Sequence, residues 1–470
     1  MAADEQLKQE IAEYVDRVWE DVVVDIDKLV QIESVENMDE AKPGEPWGHA
    51  PHEALAKACE IASDLGLEAH DCEGYIGYAD LNGAREDYIG MISHADIVPL
   101  GTGWTFDPLH VTRKDGYLLG RGVLDDKGPL VLAMYAAKYF IEKGEELPYT
   151  LRVIIGCNEE TAMRDVEWYV ENFPQPAFLF TPDADFPLCY GEKGGYSARI
   201  LSDKVAGGKI VDFNGGIADN AIPNLATAVV RANVADLAPT DRVSVEDAGD
   251  GLAKLTAHGI GGHASKPAGT INAIGLLVDY LLDNDLCDEG EREFLELDRI
   301  VLSSTDGSSM GFASADKYFD PLTCIGGTMR TIDGRFEQTI DSRYPTSITS
   351  AEITAKVSEL AEKHHATVEC YLDMVPFVTD PESDAIQTLI NTYNEVTGKQ
   401  AKPFTMGGGT YARHFARAAS FGPNDPDWEY PEWVHGEHSA DEGVSEELMK
   451  QSLGIYILAL TRLMKLDLTA

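Results

Sequence analysis

At 470 residues the chain is longer than one ordinary hydrophobic core accommodates, so two domains are expected. Its hydrophobic content of 44% and charged content of 25% are those of a globular protein and exclude a disordered one. With 81 acidic against 37 basic side chains the formal net charge is −44, which excludes nucleic acid and anionic membrane as principal partners, because both require a positive footprint.

The first 32 residues are acidic and amphipathic, which predicts a helix and not a signal peptide. No run reaches the roughly 18 consecutive apolar residues of a membrane span. Short apolar runs at residues 88–92, 151–155 and 177–180 alternate with helical patterns at 130–143 and 166–172, which predicts an α/β domain with a mostly parallel sheet. Between about 196 and 380 the texture changes. Strand-like runs at 196–201, 226–233 and 254–258 mix with polar, Gly-rich connections such as 245–251 and 303–309, as in an α+β insert. A helix at 384–397, a glycine cluster at 407–409, a Pro- and Trp-bearing loop and a last helix at 445–464 follow. The seven cysteines (Cys59, Cys72, Cys157, Cys189, Cys287, Cys324 and Cys370) form no CxxC pair and read as reduced, buried thiols of a soluble, cytoplasmic protein.

Five motifs carry chemistry. Ser93-His94-Ala95-Asp96 follows the first of these strands; residues two apart share a face, so Asp96 can orient the His94 ring toward a metal, or His94 is a stray turn residue. Asp125-Asp126 opens a helix near Pro129, either complementing its dipole or bridging two cations. Glu159-Glu160, after the second strand, are either helix-start acids or a base beside a ligand. Asp183, after the third, is an Asx cap or a ligand. His435 and His438 near the C-terminus are both ligands, one, or neither. What joins these motifs is address. Most lie just beyond a strand end or at a helix start, where open α/β sheets gather their ligands, and the set of histidines and carboxylates suits zinc or manganese.

Together the five motifs, spread over nearly the whole chain, resemble the di-zinc aminoacylase/glutamate-carboxypeptidase metallopeptidase family, and within it the bacterial PepV-type dipeptidases. The resemblance implies a zinc-peptidase-like catalytic domain (residues 1–195 and 381–470) with an inserted α+β lid domain for substrate binding (196–380). It implies two divalent ions, zinc first, with manganese or cobalt as substitutes. Asp125 would bridge them across a cis peptide bond to Asp126, with His94 and Asp183 on one ion and Glu160 and His438 on the other. His438 is preferred to His435 because Glu442 follows it in a His-x-x-x-Glu pattern. Asp96 would support His94, and Glu159 would be the general base. In the insert, His263 of GGHASKP resembles the group that polarises the scissile carbonyl. Asn220 and Arg343, with Gly408 and Gly409, resemble the groups that hold a substrate's C-terminal carboxylate. NEETAM lacks the Gly often found after EET, and AIPN replaces a commoner VP-containing version.

The expected reaction is dipeptide hydrolysis by water activated at the metal pair, with a clamped carboxylate measuring substrate length. By the same resemblance, the long insert implies a monomer. Two other readings stand beside it: hydrolysis of N-acyl amino acids or another carboxypeptidase activity, and an inactive metal-binding protein.

Overall fold

A computed structural model of the protein describes residues 2–205 and 207–468. The chain forms two compact units. The first comprises the residues up to Gly191, Val378–Phe404 and the chain from Gly409; the second comprises Glu192–Phe377 with Thr405–Gly408.

In the first unit, strands Glu68–Cys72, Ile76–Leu81, Thr150–Gly156, Tyr88–His94, Phe178–Thr181 and Ala418–Ser420 lie side by side in that order. The last four are mutually parallel, and the first two add an antiparallel hairpin. All seven residues of Tyr88–His94 are buried, as expected of a parallel strand covered on both faces. Helices Lys127–Lys143 and Arg164–Asn172 lie in the crossovers that parallel strands need. The first of them opens at Lys127, with Asp126 in the N-cap position. Pro129 therefore stands inside the first turn, where its missing N–H breaks no helical bond. Helices Ala2–Val30 and Glu446–Leu463 complete the core: Tyr14 donates its hydroxyl to the Tyr135 carbonyl oxygen at 2.7 Å, and Trp19 Nε1 donates to Glu446 at 2.8 Å.

The second unit is an eight-stranded sheet in the order Val243–Gly249, Leu252–His258, Leu225–Arg231, Ile210–Gly215, Thr323–Ile332, Arg335–Tyr344, Gly194–Ser202, Ala366–Met374, with antiparallel pairing throughout. Helices Ala273–Asp283, Glu289–Val301 and Ser350–Glu362 contribute to its core, and capping boxes at Asp288/Glu291 and Thr349/Glu352 start the latter two. The polar run 245–251, expected to be a connection, is mostly strand. Asp250 and Gly251 at positive φ turn the chain, and the edge strand Val243–Gly249 pairs back on Leu252–His258. Its alternation was hidden because an edge strand needs few apolar residues.

Asp298, on the helix Glu289–Val301, is fully buried, and neither carboxylate oxygen has a hydrogen-bond partner among the described residues. Burial pushes its carboxyl well above the usual range. The folded state thus keeps a proton that the unfolded chain releases near pH 3.9, and stability falls as pH rises from there through the folded-state value. Asp298→Asn removes this cost. Thermal melts are expected to show a gain of about 1–3 kcal/mol at neutral pH that vanishes below about pH 4; a loss of stability at pH 7 would contradict the assignment.

No helix among the described residues is long and apolar enough to cross a membrane. The seven cysteines are free thiols, and five are buried; Cys59 is half-buried and Cys370 is exposed on an outer strand, so the expectation of buried thiols fails there.

Candidate metal centre

The sheet register sets His94 beside Gly156, so the parallel strands end together and the residues after them emerge at one carboxyl edge. His94 closes the first strand, Glu159 and Glu160 follow the second, and Asp183 follows the third. Asp125 and Asp126 enter from the turn before helix Lys127–Lys143, and their peptide bond is cis. The loop 435–442 supplies the last imidazole.

Asp125 lies between the two histidines. Its Oδ1 is 3.1 Å from His94 Nε2, and its Oδ2 is 3.0 Å from His438 Nε2. Asp183 Oδ2 lies 3.6 Å from His94 Nε2, and Glu160 Oε2 lies 3.1 Å from His438 Nε2. The side chains of His94, Asp183, Glu160 and His438 therefore converge about the Asp125 carboxylate. Of the two C-terminal histidines, His438 faces the cluster from a left-handed backbone at φ 60°. His435 instead directs Nδ1 to the Ala440 carbonyl oxygen at 2.6 Å, helping to close the loop. Asp441 staples the same loop by accepting from the Thr105 amide and hydroxyl and from the Phe106 amide.

The His94 ring is oriented by the Asp96 backbone: Nδ1 donates to the Asp96 carbonyl oxygen at 3.1 Å, with the carboxylate Oδ1 farther away at 3.4 Å. The carboxylate's Oδ2 accepts the Glu160 amide at 3.1 Å, so Asp96 ties a histidine to an acid from the next strand. Asp126 escaped notice as a site residue. Its carboxylate caps no helical amide but accepts the His94 amide at 3.0 Å, and with His94 and Asp183 it forms a second group of clustered potential metal ligands beside that of His94, Asp125 and Glu160. Its position next to Asp125 was the available signal.

The electrostatics call for cations. Burial raises the carboxyl groups of Glu159, Glu160 and Asp183, and the neighbouring carboxylates add to the rise. Asp125 is held low despite burial, because it is hydrogen-bonded to both imidazoles. His438 is pushed up to about 11 by Asp125 and Glu160. Burial opposes the charging of His94, but Asp125, Asp183 and Asp96 outweigh it. Glu160 Oε1 is buried and unpartnered. Two imidazoles and several close carboxylates, with an acceptor left over, are a donor set suited to divalent cations, whose charge would replace that of the imidazolium protons. The residues fit a metal pair.

Sequence reasoning also underused the support beneath this cluster. Glu442, fully buried, accepts the amides of Gly122, Leu124 and Asp125 at 3.0, 3.1 and 3.2 Å, and receives Arg121 Nη1 at 2.5 Å. Lys127, also buried, donates to the carbonyl oxygens of Leu29 and Ile32 at 2.9 and 2.6 Å. Such partners are set by distant loops and carry no local spacing signal.

In the second unit, Ala221 pairs with His263, and the Asn220 carbonyl oxygen accepts the Ala264 amide at 2.9 Å, which sets Asn220 opposite the residue after His263. His263 Nδ1 accepts the Ser265 amide at 3.2 Å and lies 2.7 Å from its hydroxyl, so the ring proton resides on Nε2. Burial and the Arg343 charge hold this imidazole below its usual pKa. Arg343 departs from expectation. Its Nε and Nη2 already form a fork on Asp341 at 2.9 and 3.1 Å, leaving Nη1, which is 3.4 Å from the Gly407 carbonyl oxygen. Gly408 belongs to this unit, whereas Gly409 belongs to the first.

The chain is 30% identical over 469 residues to a Bacillus subtilis protein named "Putative dipeptidase YtjP", covering 96% of this chain and 98% of the relative. It is 28% identical over 475 residues to the Staphylococcus haemolyticus protein "Putative dipeptidase SH1171", with the same two coverages. Among solved structures, human carnosine dipeptidase 1 superposes with a TM-score of 0.60 at 14% identity, covering 98% of this chain and 100% of that one. The Saccharomyces cerevisiae dipeptidase Dug1p does so with a TM-score of 0.60 at 13% identity, covering 98% and 99%, so the fold is shared. The model of Peptidase family M20/M25/M40 matches residues 90–462, the span that holds every residue of the centre, and the chain belongs to that family.

Proposed function

We propose that this peptidase hydrolyses dipeptides at a pair of divalent cations, zinc in the first instance. The observation that carries the reading is the Asp125 carboxylate, with one oxygen 3.1 Å from His94 and the other 3.0 Å from His438. A bridging ligand needs that disposition. His94 and Asp183 would hold one cation and Glu160 and His438 the other, with Asp126 and Asp96 fixing the His94 backbone and ring. When bound, such a pair acidifies water and polarises the scissile carbonyl.

The chain's own residues do the rest. Glu159 takes a proton from the attacking water and returns it to the leaving amine. His263, neutral with its proton on Nε2, is a donor suited to the developing oxyanion. Asn220, Arg343 through Nη1, and the backbone of Gly408 and Gly409 would recognise the C-terminal carboxylate, with Asp341 holding the guanidinium in place. Dipeptidase names among relatives that span the whole chain support the substrate class.

The test is a substrate panel after chelation and readdition of zinc or manganese. Free dipeptides are expected to be cleaved only by the reloaded protein, and faster than tripeptides or N-acetylated amino acids. Preferential cleavage of the N-acetylated compounds would replace the dipeptidase reading with an amidohydrolase one. No hydrolysis in any metal would remove both.

A further inference from the structure

Cys157 to Glu160 carry the proposed base and one ligand, yet they lie past the last ladder pair of their strand, His94 with Gly156. Something other than the sheet must hold them. One carboxylate does most of this. Asp165, fully buried in the first turn of helix Arg164–Asn172, accepts the amides of Cys157 and Asn158 on Oδ2, at 2.7 and 3.0 Å, and the Val166 amide on Oδ1 at 2.7 Å. The same Oδ2 receives the Tyr411 hydroxyl at 2.5 Å.

Tyr411 is itself fully buried and begins the turn Tyr411–His414 just after the glycine cluster. Its ring meets the His94 ring edge-on, with centroids 6.3 Å apart at 85°. The phenol also explains the glycine at the strand end, since a Cβ on Gly156 would collide with the Tyr411 hydroxyl oxygen. A single side chain thus abuts His94, the end of the second strand and the carboxylate that anchors the loop beyond it.

We propose that Tyr411 and Asp165 are a positioning pair for the reaction: the phenol fixes the carboxylate, the carboxylate fixes the amides of residues 157 and 158, and Glu159 and Glu160 are thereby held in their working places. The inference rests on the dipeptidase reading for its catalytic half only. Neither residue need touch substrate, so neither is catalytic.

Tyr411→Phe keeps the ring and removes the hydroxyl. Two readouts are needed on the zinc-loaded protein. Hydrogen exchange of a peptide covering residues 156–161 is expected to quicken about 10-fold or more. The dipeptide kcat is expected to fall about 10–100-fold, with KM nearly unchanged and both metal equivalents retained. Gly156→Ala, which displaces the phenol without altering it, should reproduce both effects and serves if Tyr411→Phe folds poorly. Asp165→Asn combined with Tyr411→Phe should be no worse than the more severe single variant, since the two act as a unit. Unchanged exchange overturns the proposal whatever the activity. Faster exchange with unchanged kcat, an effect confined to KM, or additive single effects overturns its catalytic half. If the wild-type protein cleaves no dipeptide, the dipeptidase reading falls, and exchange alone still decides whether the pair holds the loop.

Discussion

Glu159→Gln is expected to lower kcat by about 10²–10⁴-fold, the usual contribution of a general acid–base group, while two metal equivalents remain bound. The substitution preserves volume and polarity and removes only the ability to take a proton. The metals should stay because the residues that face one another across the centre are Asp125, His94, His438, Glu160 and Asp183. Glu160, next in the chain, is tied to His438 through its carboxylate and to Asp96 through its amide. On the proposed reading Glu159 and Glu160 divide the labour of one turn, and substituting each should separate the roles: Glu160→Gln should lose metal first and activity as a consequence. Elemental analysis beside steady-state kinetics checks both. Metal loss in Glu159→Gln, or turnover within a few-fold of wild type, would sink the assignment.

Arg121→Met is expected to destabilise the protein by about 3–5 kcal/mol, the cost of leaving one member of a buried ion pair alone. Arg121 and Glu442 are 1% and 0% exposed, and Glu442 also carries three amides of the loop leading to Asp125. Without the guanidinium, the carboxylate either stays charged in an apolar surround or takes up a proton and weakens its hold on those amides. Adding Glu442→Gln should recover part of the loss, because the remaining oxygen still accepts amides and no charge is left unpaired. Urea titrations of the single and double variants measure this, and zinc affinity should fall with stability because the Asp125 amide is one of those held. A single variant as stable as wild type would mean that the pair is dispensable to the loop.

The positions of chemistry were legible in the sequence because each sits next to a local signal. His94, Glu159, Glu160 and Asp183 follow short apolar runs, and a strand that ends in a polar residue ends at the edge where ligands collect. The helices at 127–143, 384–397 and 446–463 were legible from their periodicity, with boundaries shifted by up to three residues where a cap, not an apolar residue, sets the start. The edge strand Val243–Gly249 was not legible, since its exposed residues carry no apolar alternation. The parallel part of the sheet is four strands wide, one more than the three apolar runs read from the sequence, because the short strand Ala418–Ser420 joins it, and the hairpin of residues 68–81 closes it on one side.

What the sequence determined by itself is the family and a set of candidate acids and histidines in order. The tertiary structure decided which of them meet. The His-x-x-x-Glu pattern already favoured His438 over His435; folding adds how it is presented, from a left-handed residue in a loop stapled by Asp441 to Thr105 and Phe106. Only folding reveals that Asp341 already occupies the Arg343 fork, and that Asp165, Tyr411, Arg121 and Glu442 hold the loops of the centre. The physical reason is range. Propensity and hydrophobic period act over a few neighbouring residues, whereas a buried carboxylate takes whatever donors the packed chain brings to it, here from up to 336 positions away.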